Sequence, residues 1–215
     1  MAKRVVDDAS LTAVADAIRE RAGTTEEMEF PNGFKSAVEE IPDPLLLALN
    51  STLEEYTSAK LTTKIRDGAF SNLPSLKTVN FPNAIGVGSY AFQNCFGLRN
   101  VNLPRATYIG GAAFIYCQEL TTISFNSLTD INNRAFESCK KLTALIIQNR
   151  TRVVNLASVG AFIDTPIASG TGYIYVHKTM ADGSDGVAAY QAATNWSAFS
   201  IRAIEDYPEI TRGAT

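Results

Sequence analysis

Three cysteines, one histidine and a short acidic loop are the side chains with obvious chemistry in this sequence, and their spacing decides which chemistry. Cys95, Cys117 and Cys139 lie 22 residues apart. Thiols can attack as nucleophiles, pair as disulfides or ligate a metal. Structural metal sites draw consecutive ligands from short knuckles, and this set has neither a knuckle nor a fourth ligand nearby. Adjacent rungs of a parallel sheet lie roughly 5 Å apart, so a disulfide is geometrically open, but it would leave one thiol over. The simplest reading is three small buried hydrophobes. His177 has no sequence-adjacent acid or second histidine, so a Cys-His nucleophilic pair is poorly supported. Asp182-Gly183-Ser184-Asp185-Gly186 starts like a calcium loop without the later carboxylates, which leaves a flexible turn. No HExxH, GxSxG, Walker loop or dinucleotide fingerprint occurs. The reading is therefore a non-enzyme with no catalytic, cofactor or metal residues. A hydrolase assembled from dispersed acids and His177 is the alternative.

The elements that must position these residues are copies of one sentence. Ala-Phe recurs at Ala69-Phe70, Ala91-Phe92, Ala113-Phe114 and Ala135-Phe136, each 22 residues after the last. Ile65, Val87, Ile109 and Ile131 keep the same register before the pair, and Leu73, Cys95, Cys117 and Cys139 keep it afterwards. So do Leu76, Leu98, Leu120 and Leu142, then Val79, Val101, Ile123 and Leu145, then Phe81, Leu103, Phe125 and Ile147. A period of this length means a solenoid whose copies bury their apolar side chains only against each other. The Val79-x-Phe81 spacing predicts a short strand, with Pro82 and Pro104 turning the chain out of the sheet. Segments such as Gly88-Ser89-Tyr90-Ala91-Phe92 are expected to form short helical or 3₁₀ arcs opposite that sheet. A phenylalanine in the middle of each copy should fill the space between strand and arc, giving a continuous spine.

The flanks are less regular. Residues 1–8 are expected to be loose. Ser10 as N-cap and the stripe Leu11, Val14, Ala15, Ile18 predict a helix over about 11–22, ended by Gly23. Phe34, Ala37, Val38 and Ile41 predict a second one, ended by Pro42 and Pro44. Residues 45–50 read as a strand or packed linker, and residues 52–57 as the first rung. Ala161-Phe162 comes 26 residues after the fourth pair and marks an irregular last coil, its strand at 173–176. A helix over 187–193 and an extended piece carrying Phe199, Ile201 and Ile204 should close the apolar end of the array, 185–205 acting as its lid.

Composition narrows the function classes. Net charge is −3, which gives no basic surface for a phosphate backbone, so nucleic acid is not an expected partner. No apolar run is long enough to span a bilayer. MAKRVVDDAS turns acidic before any apolar stretch develops and does not read as a secretory signal, which favours a cytoplasmic or virion-associated location. Asn50, Asn149 and Asn195 fit the glycosylation pattern, which matters only on an export route.

The copy Gly88-Ser89-Tyr90-Ala91-Phe92-Gln93-Asn94-Cys95-Phe96-Gly97-Leu98-Arg99-Asn100-Val101-Asn102-Leu103-Pro104 resembles the BspA-like leucine-rich repeat. The resemblance covers roughly residues 53–176, and Tyr190-Gln191-Ala192-Ala193-Thr194-Asn195-Trp196 resembles the helix that closes such arrays. Leu73 stands for cysteine in the first copy, Asn126 and Gln148 stand for the proline in the third and fourth, and the fifth lacks both cysteine and leucine. The N-terminal piece resembles leaders on repeat proteins of gut bacteria and their phages. The expected fold is an α/β repeat solenoid: a short leucine-rich repeat array with one parallel strand per coil (45–181), a small helical N-terminal segment (1–44) and a helix-containing C-terminal cap and tail (182–215). The resemblance implies adhesion, host interaction or a place in a phage-derived particle.

Binding, if it occurs on the array, belongs on the open face of the sheet. Thr78, Asn80, Asn100, Asn102, Thr122 and Ser124 alternate with the core set and form two columns of small polar side chains about 15 Å long. Ala144 and Ile146 continue those columns, and Ile146 is expected beneath the C-terminal lid. The columns can hydrogen-bond a protein or a glycan, although no aromatic ladder stands among them to stack sugars. The helical N-terminal segment offers a second route, through self-association or docking on a particle.

Overall fold

A lone 22-residue copy has no interior, so each copy must use its neighbour as one. The computed structural model describes residues 5–6, 53–58 and 62–212 and shows that stacking. The two expected N-terminal helices and the run at 45–50 lie outside the described residues. Strand β1 (Val5–Val6) is followed by β2 (Glu55–Thr57). Each copy then contributes a two-residue strand, an arc and a longer strand. These are β3 (Lys64–Ile65) and β4 (Thr78–Asn80), β5 (Gly86–Val87) and β6 (Asn100–Asn102), β7 (Tyr108–Ile109) and β8 (Thr122–Phe125). The fourth and last copies give β9 (Asp130–Ile131), β10 (Ala144–Ile147), β11 (Asn155–Leu156) and β12 (Tyr173–Val176). Strand β13 (Ile201–Ala203) closes the longer set.

All of these strands pair in parallel, and within the regular copies the partners stand one repeat apart: Thr78 faces Asn100, and Val87 faces Ile109. The two-residue strands form one continuous sheet in the order β11-β9-β7-β5-β3. The longer strands form two sheets, β1-β2-β4-β6 and β13-β12-β10-β8, so the ladder is interrupted between β6 and β8. Residues 1–8 are therefore not wholly loose: Val5–Val6 pair in parallel with Glu55–Tyr56.

Between the two strand layers runs the spine. Successive rings of Phe70, Phe92, Phe114, Phe136 and Phe162 are 5.4, 5.1, 5.4 and 5.6 Å apart, with planes within 16° of parallel. Each ring is buried, as are Ala91, Ala113 and Ala135 beside it. Gly88 and Gly110, just after the two-residue strands β5 and β7, let neighbouring copies approach closely. A Cβ on Gly110 would lie 2.6 Å from the Gly88 carbonyl carbon and the Ser89 nitrogen, closer than such atoms pack.

The arcs differ from the helical or 3₁₀ turns expected of them. Alternate N–H groups leave the copy and donate to the next one: Gly68 to the Ser89 carbonyl (2.8 Å), Phe70 to Ala91 (2.7 Å), Asn72 to Gln93 (2.7 Å). The amides between them close tight turns within the copy, as Ser71 does on Gly68. Left-handed backbone brings about this alternation, at Gly68 and Asn72, Tyr90 and Asn94, Ala112 and Tyr116, Arg134 and Ser138. A continuous helical turn would aim every N–H along its own chain and leave the next copy without donors. Among the described residues only the last arc is a 3₁₀ helix (Val159–Phe162), with Ser158 Oγ accepting from the Gly160 N–H.

The C-terminal cap is where the sequence placed it. Helix α1 (Gly186–Ala192) starts on Asp185, whose Oδ1 accepts from the Ala188 N–H at 3.0 Å, and a 3₁₀ helix (Trp196–Ala198) follows. Phe199 meets the end of the spine edge-on, its ring 5.1 Å from that of Phe162, and Trp196 lies 6.5 Å away. The same cap seals the edge of β11. The Val154 N–H donates to the Tyr190 hydroxyl (3.1 Å), Trp196 Nε1 donates to the Val154 carbonyl (2.7 Å), and Asn195 Nδ2 donates to the Leu156 carbonyl (2.7 Å). Beyond it, helix α2 (Glu209–Arg212) ends the described chain.

Candidate functional site

Strand alternation turns Val79, Ile123 and Leu145 inward and leaves their neighbours on the open face of the longer strands. Asn100 and Asn102 are exposed, and Thr78, Asn80, Thr122 and Ser124 are half-buried. The columns are tied along the array: Asn102 Nδ2 donates to Asn80 Oδ1 at 2.9 Å, and Asn100 Nδ2 approaches Thr78 Oγ1 at 3.4 Å. Across the interruption no such rung joins Asn102 to Ser124, which instead accepts from Gln148 Nε2 at 3.2 Å. There Val101 is only half-buried, unlike its counterparts Val79 and Ile123.

The face ends on an apolar patch. Ala144 and Ile146 are buried, packed with Tyr175 and Ile204 and flanked by Tyr173, Tyr207 and Ile210, so Ile146 does lie beneath the C-terminal segment. The Arg202 guanidinium stacks on the Tyr173 ring, 3.2 Å from its centroid, and lies 4.8 Å from that of Tyr207. Ion pairs line the start of the strands: Lys77 with Glu54 (2.6 Å), and Glu119 with both Lys141 (2.6 Å) and Arg99 (3.1 Å). Lys141 first, and Arg99 after it, hold the Glu119 carboxyl below its usual range.

The other candidates are accounted for by structure. Each thiol donates to the phenylalanine carbonyl of the preceding copy: Cys95 to Phe70 (3.0 Å), Cys117 to Phe92 (3.3 Å), Cys139 to Phe114 (3.1 Å). All three are free and fully buried. Burial pushes the Cys95 thiol up to about 12 and the Cys117 thiol well above its ordinary value, so neither offers a thiolate at neutral pH.

Asp182 accepts from the Ser184 N–H (3.0 Å) and hydroxyl (2.7 Å), which makes the acidic loop an Asx turn leading into the Asp185 cap. Among the described residues, no group of three or more His, Cys, Asp and Glu is placed to hold a metal. Asn149 bonds the Leu128 carbonyl from within the core, and Asn195 serves the cap, so both asparagines have structural partners.

His177 does meet a carboxylate, a partnership invisible in the sequence because 28 residues separate the two. Its Nδ1 lies 2.8 Å from Glu205 Oε1, and Glu205 Oε2 accepts from the Lys178 N–H at 2.8 Å. Burial would raise the Glu205 carboxyl, and these hydrogen bonds outweigh it and hold the group below its usual range. The side chains are 21% and 43% exposed, and among the described residues no hydroxyl or thiol bonds the imidazole. The pair fastens the end of β12 to the segment after β13.

Comparison with known proteins follows the same lines. The family model of the BspA type leucine-rich repeat region matches residues 48–164, in six copies. The chain belongs to the BspA-type leucine-rich repeat family. The matched residues span β2 to the last arc, so the BspA-type region holds the spine, the interrupted face and all three cysteines. The cap lies beyond it. Neither the curated proteins nor the solved structures gave a match. Among the described residues, no helix of this BspA-type protein is long and apolar enough to cross a membrane.

Proposed function

We propose that the chain is a non-enzymatic recognition scaffold that holds a protein partner on its open sheet face, in a bacterial or phage-derived setting. The observation that carries this reading is the pre-ordered pair of columns. Thr78, Asn80, Asn100, Asn102, Thr122 and Ser124 sit on parallel strands of fixed register, and several are already tied to each other. Small polar side chains held this way lose little freedom when a partner arrives. The family resemblance supports the bacterial or phage setting. The hydrolase alternative draws no comparable support, because His177 and Glu205 act as a fastening on an exposed surface. The test is capture from the native host with wild-type chain and with the double variant Asn80→Arg, Asn102→Arg. A partner captured by wild type and lost by an equally stable double variant supports the proposal. Undiminished capture by the variant sinks it.

A further inference from the structure

Two tyrosines stand on the arcs where the fold is served best by glycine or asparagine. Tyr90 (φ 57°) and Tyr116 (φ 63°) take left-handed backbone, in which a Cβ crowds the neighbouring carbonyl. Equivalent positions in other copies hold Gly68, Asn72 and Asn94, residues that enter this region at little cost. Tyrosine has no such relief, and burial compensates only in part, since Tyr90 is 48% and Tyr116 is 37% exposed. Ala112 and Ile115, in the arc that also carries Tyr116, are only 2% and 3% exposed. Arg134 follows Tyr90 and Ala112 in the same column, and its guanidinium grips Glu137 through Nε to Oε2 and through Nη2 to Oε1 (2.9 Å). Hydrogen bonds between copies link the arcs that carry these side chains: the Tyr90 N–H donates to the Gly111 carbonyl (3.0 Å), the Ala112 N–H to the Asn133 carbonyl (3.0 Å) and the Tyr116 N–H to the Glu137 carbonyl (2.9 Å).

We propose that Tyr90, Tyr116, Arg134 and Glu137 form a binding site for a neutral oligosaccharide on the arc face. Exposed tyrosine rings suit the C–H faces of pyranoses, as the same rings suit other apolar ligand surfaces. The adjoining ion pair supplies donors and acceptors for hydroxyl groups while cancelling its own charge. A nucleic acid or an acidic peptide would need a surplus of positive charge, which this pair does not give. An apolar helix would need a continuous apolar strip, and the ion pair interrupts it. Hydrogen bonds between copies fix the arc backbone, as Tyr116 N–H to the Glu137 carbonyl does at 2.9 Å, so the backbone that carries the rings is ordered before any ligand arrives.

This site lies apart from the sheet face and is tested separately. The full chain is titrated by calorimetry with maltohexaose, cellohexaose, mannohexaose and chitohexaose, alongside Tyr90→Gly and Tyr116→Asn, which install the residues that other copies use at the same positions. The proposal expects wild type to bind at least one of these sugars. Each variant should lose at least about tenfold in affinity while its thermal midpoint holds or rises, and Asn100→Ala and Asn102→Ala should bind as wild type does. Three results would overturn it: no heat with any of the four sugars, affinity unchanged in both tyrosine variants, or a lowered midpoint accompanying the lost binding, which would make the rings part of the fold.

Discussion

The carbonyl of Phe114 accepts twice, from the Cys117 N–H of its own copy and from the Cys139 thiol of the next, both at 3.1 Å. A cysteine is useful there because a buried carbonyl has a second lone pair to satisfy and a small weak donor fits the space. The first copy has no Ala-Phe copy before it, and Leu73 fills the slot with no donor at all. Thr165 fills it in the last copy and turns its hydroxyl to the Phe162 carbonyl of its own chain segment, at 2.7 Å. Buried thiols tie stability to alkali. Above pH 9.0 an exposed Cys95 ionises, whereas the folded one keeps its proton to about 12, so the unfolded state binds fewer protons and stability falls as pH rises. The loss should approach about 1.4 kcal/mol per pH unit for each such thiol. Urea melts from pH 8 upward, repeated with Cys95→Val, check it: the variant should show a shallower alkaline decline. Aromatic deletion works at the same scale. Phe114→Ala removes a ring stacked on both sides and should cost about 3–5 kcal/mol in a urea melt; a loss below about 1 kcal/mol would take it out of the spine.

Among the elements, the cap offers the clearest separation of packing from hydrogen bonding. Trp196→Phe retains an aromatic ring against Tyr190 and Phe162 but strips the Val154 carbonyl of its donor, and Tyr190→Phe strips the Val154 N–H of its acceptor. Each leaves a buried backbone group unpaired, and each should cost about 1–3 kcal/mol by thermal denaturation. Hydrogen exchange at Asn155 and Leu156 should quicken in both, because β11 is the edge strand that the cap seals. The longer strands, the spine and this cap were legible in the sequence because each writes its burial into side chains: Val79 and Phe81, the Ala-Phe pairs, Tyr190 and Trp196. The second sheet was not, since two-residue strands such as Gly86–Val87 and Asp130–Ile131 share only one inward apolar residue and carry no periodicity. Nor was the conformation of the arcs, whose ladder is made by backbone and whose left-handed positions hold residues as unlike as Gly68, Tyr90, Ala112 and Arg134. The face was legible as alternation. Its interruption was not, because Val101 suits a ladder as well as Val79 does.

At the scale of the molecule that interruption sets how the array comes apart. In a solenoid each copy gains stability mainly from its two neighbours, so the weakest interface divides the array into blocks. Between β6 and β8 the second sheet, the arcs, the spine and the Arg99–Glu119 ion pair couple the halves, because the ladder of longer strands stops there. On the C-terminal side, β8 and β10 are four residues long, and the apolar patch around Ile146 secures the outer face of β10 and β12. On the N-terminal side, β4 and β6 are three residues long and their outer face is polar. Native-state hydrogen exchange in rising urea should therefore resolve two steps. Amides of β4 and β6 should open first, in a sub-global event that leaves Ile123, Leu145 and Ile174 protected, and the second block should exchange only through complete unfolding. Replacing Val101 by isoleucine, to match the β-branched residue that fills this position at Ile123, should narrow the gap between the two steps if the half-buried valine marks the weak joint. Merging of all amides into one isotherm in the wild type would show that the spine couples the copies strongly enough to override the broken ladder.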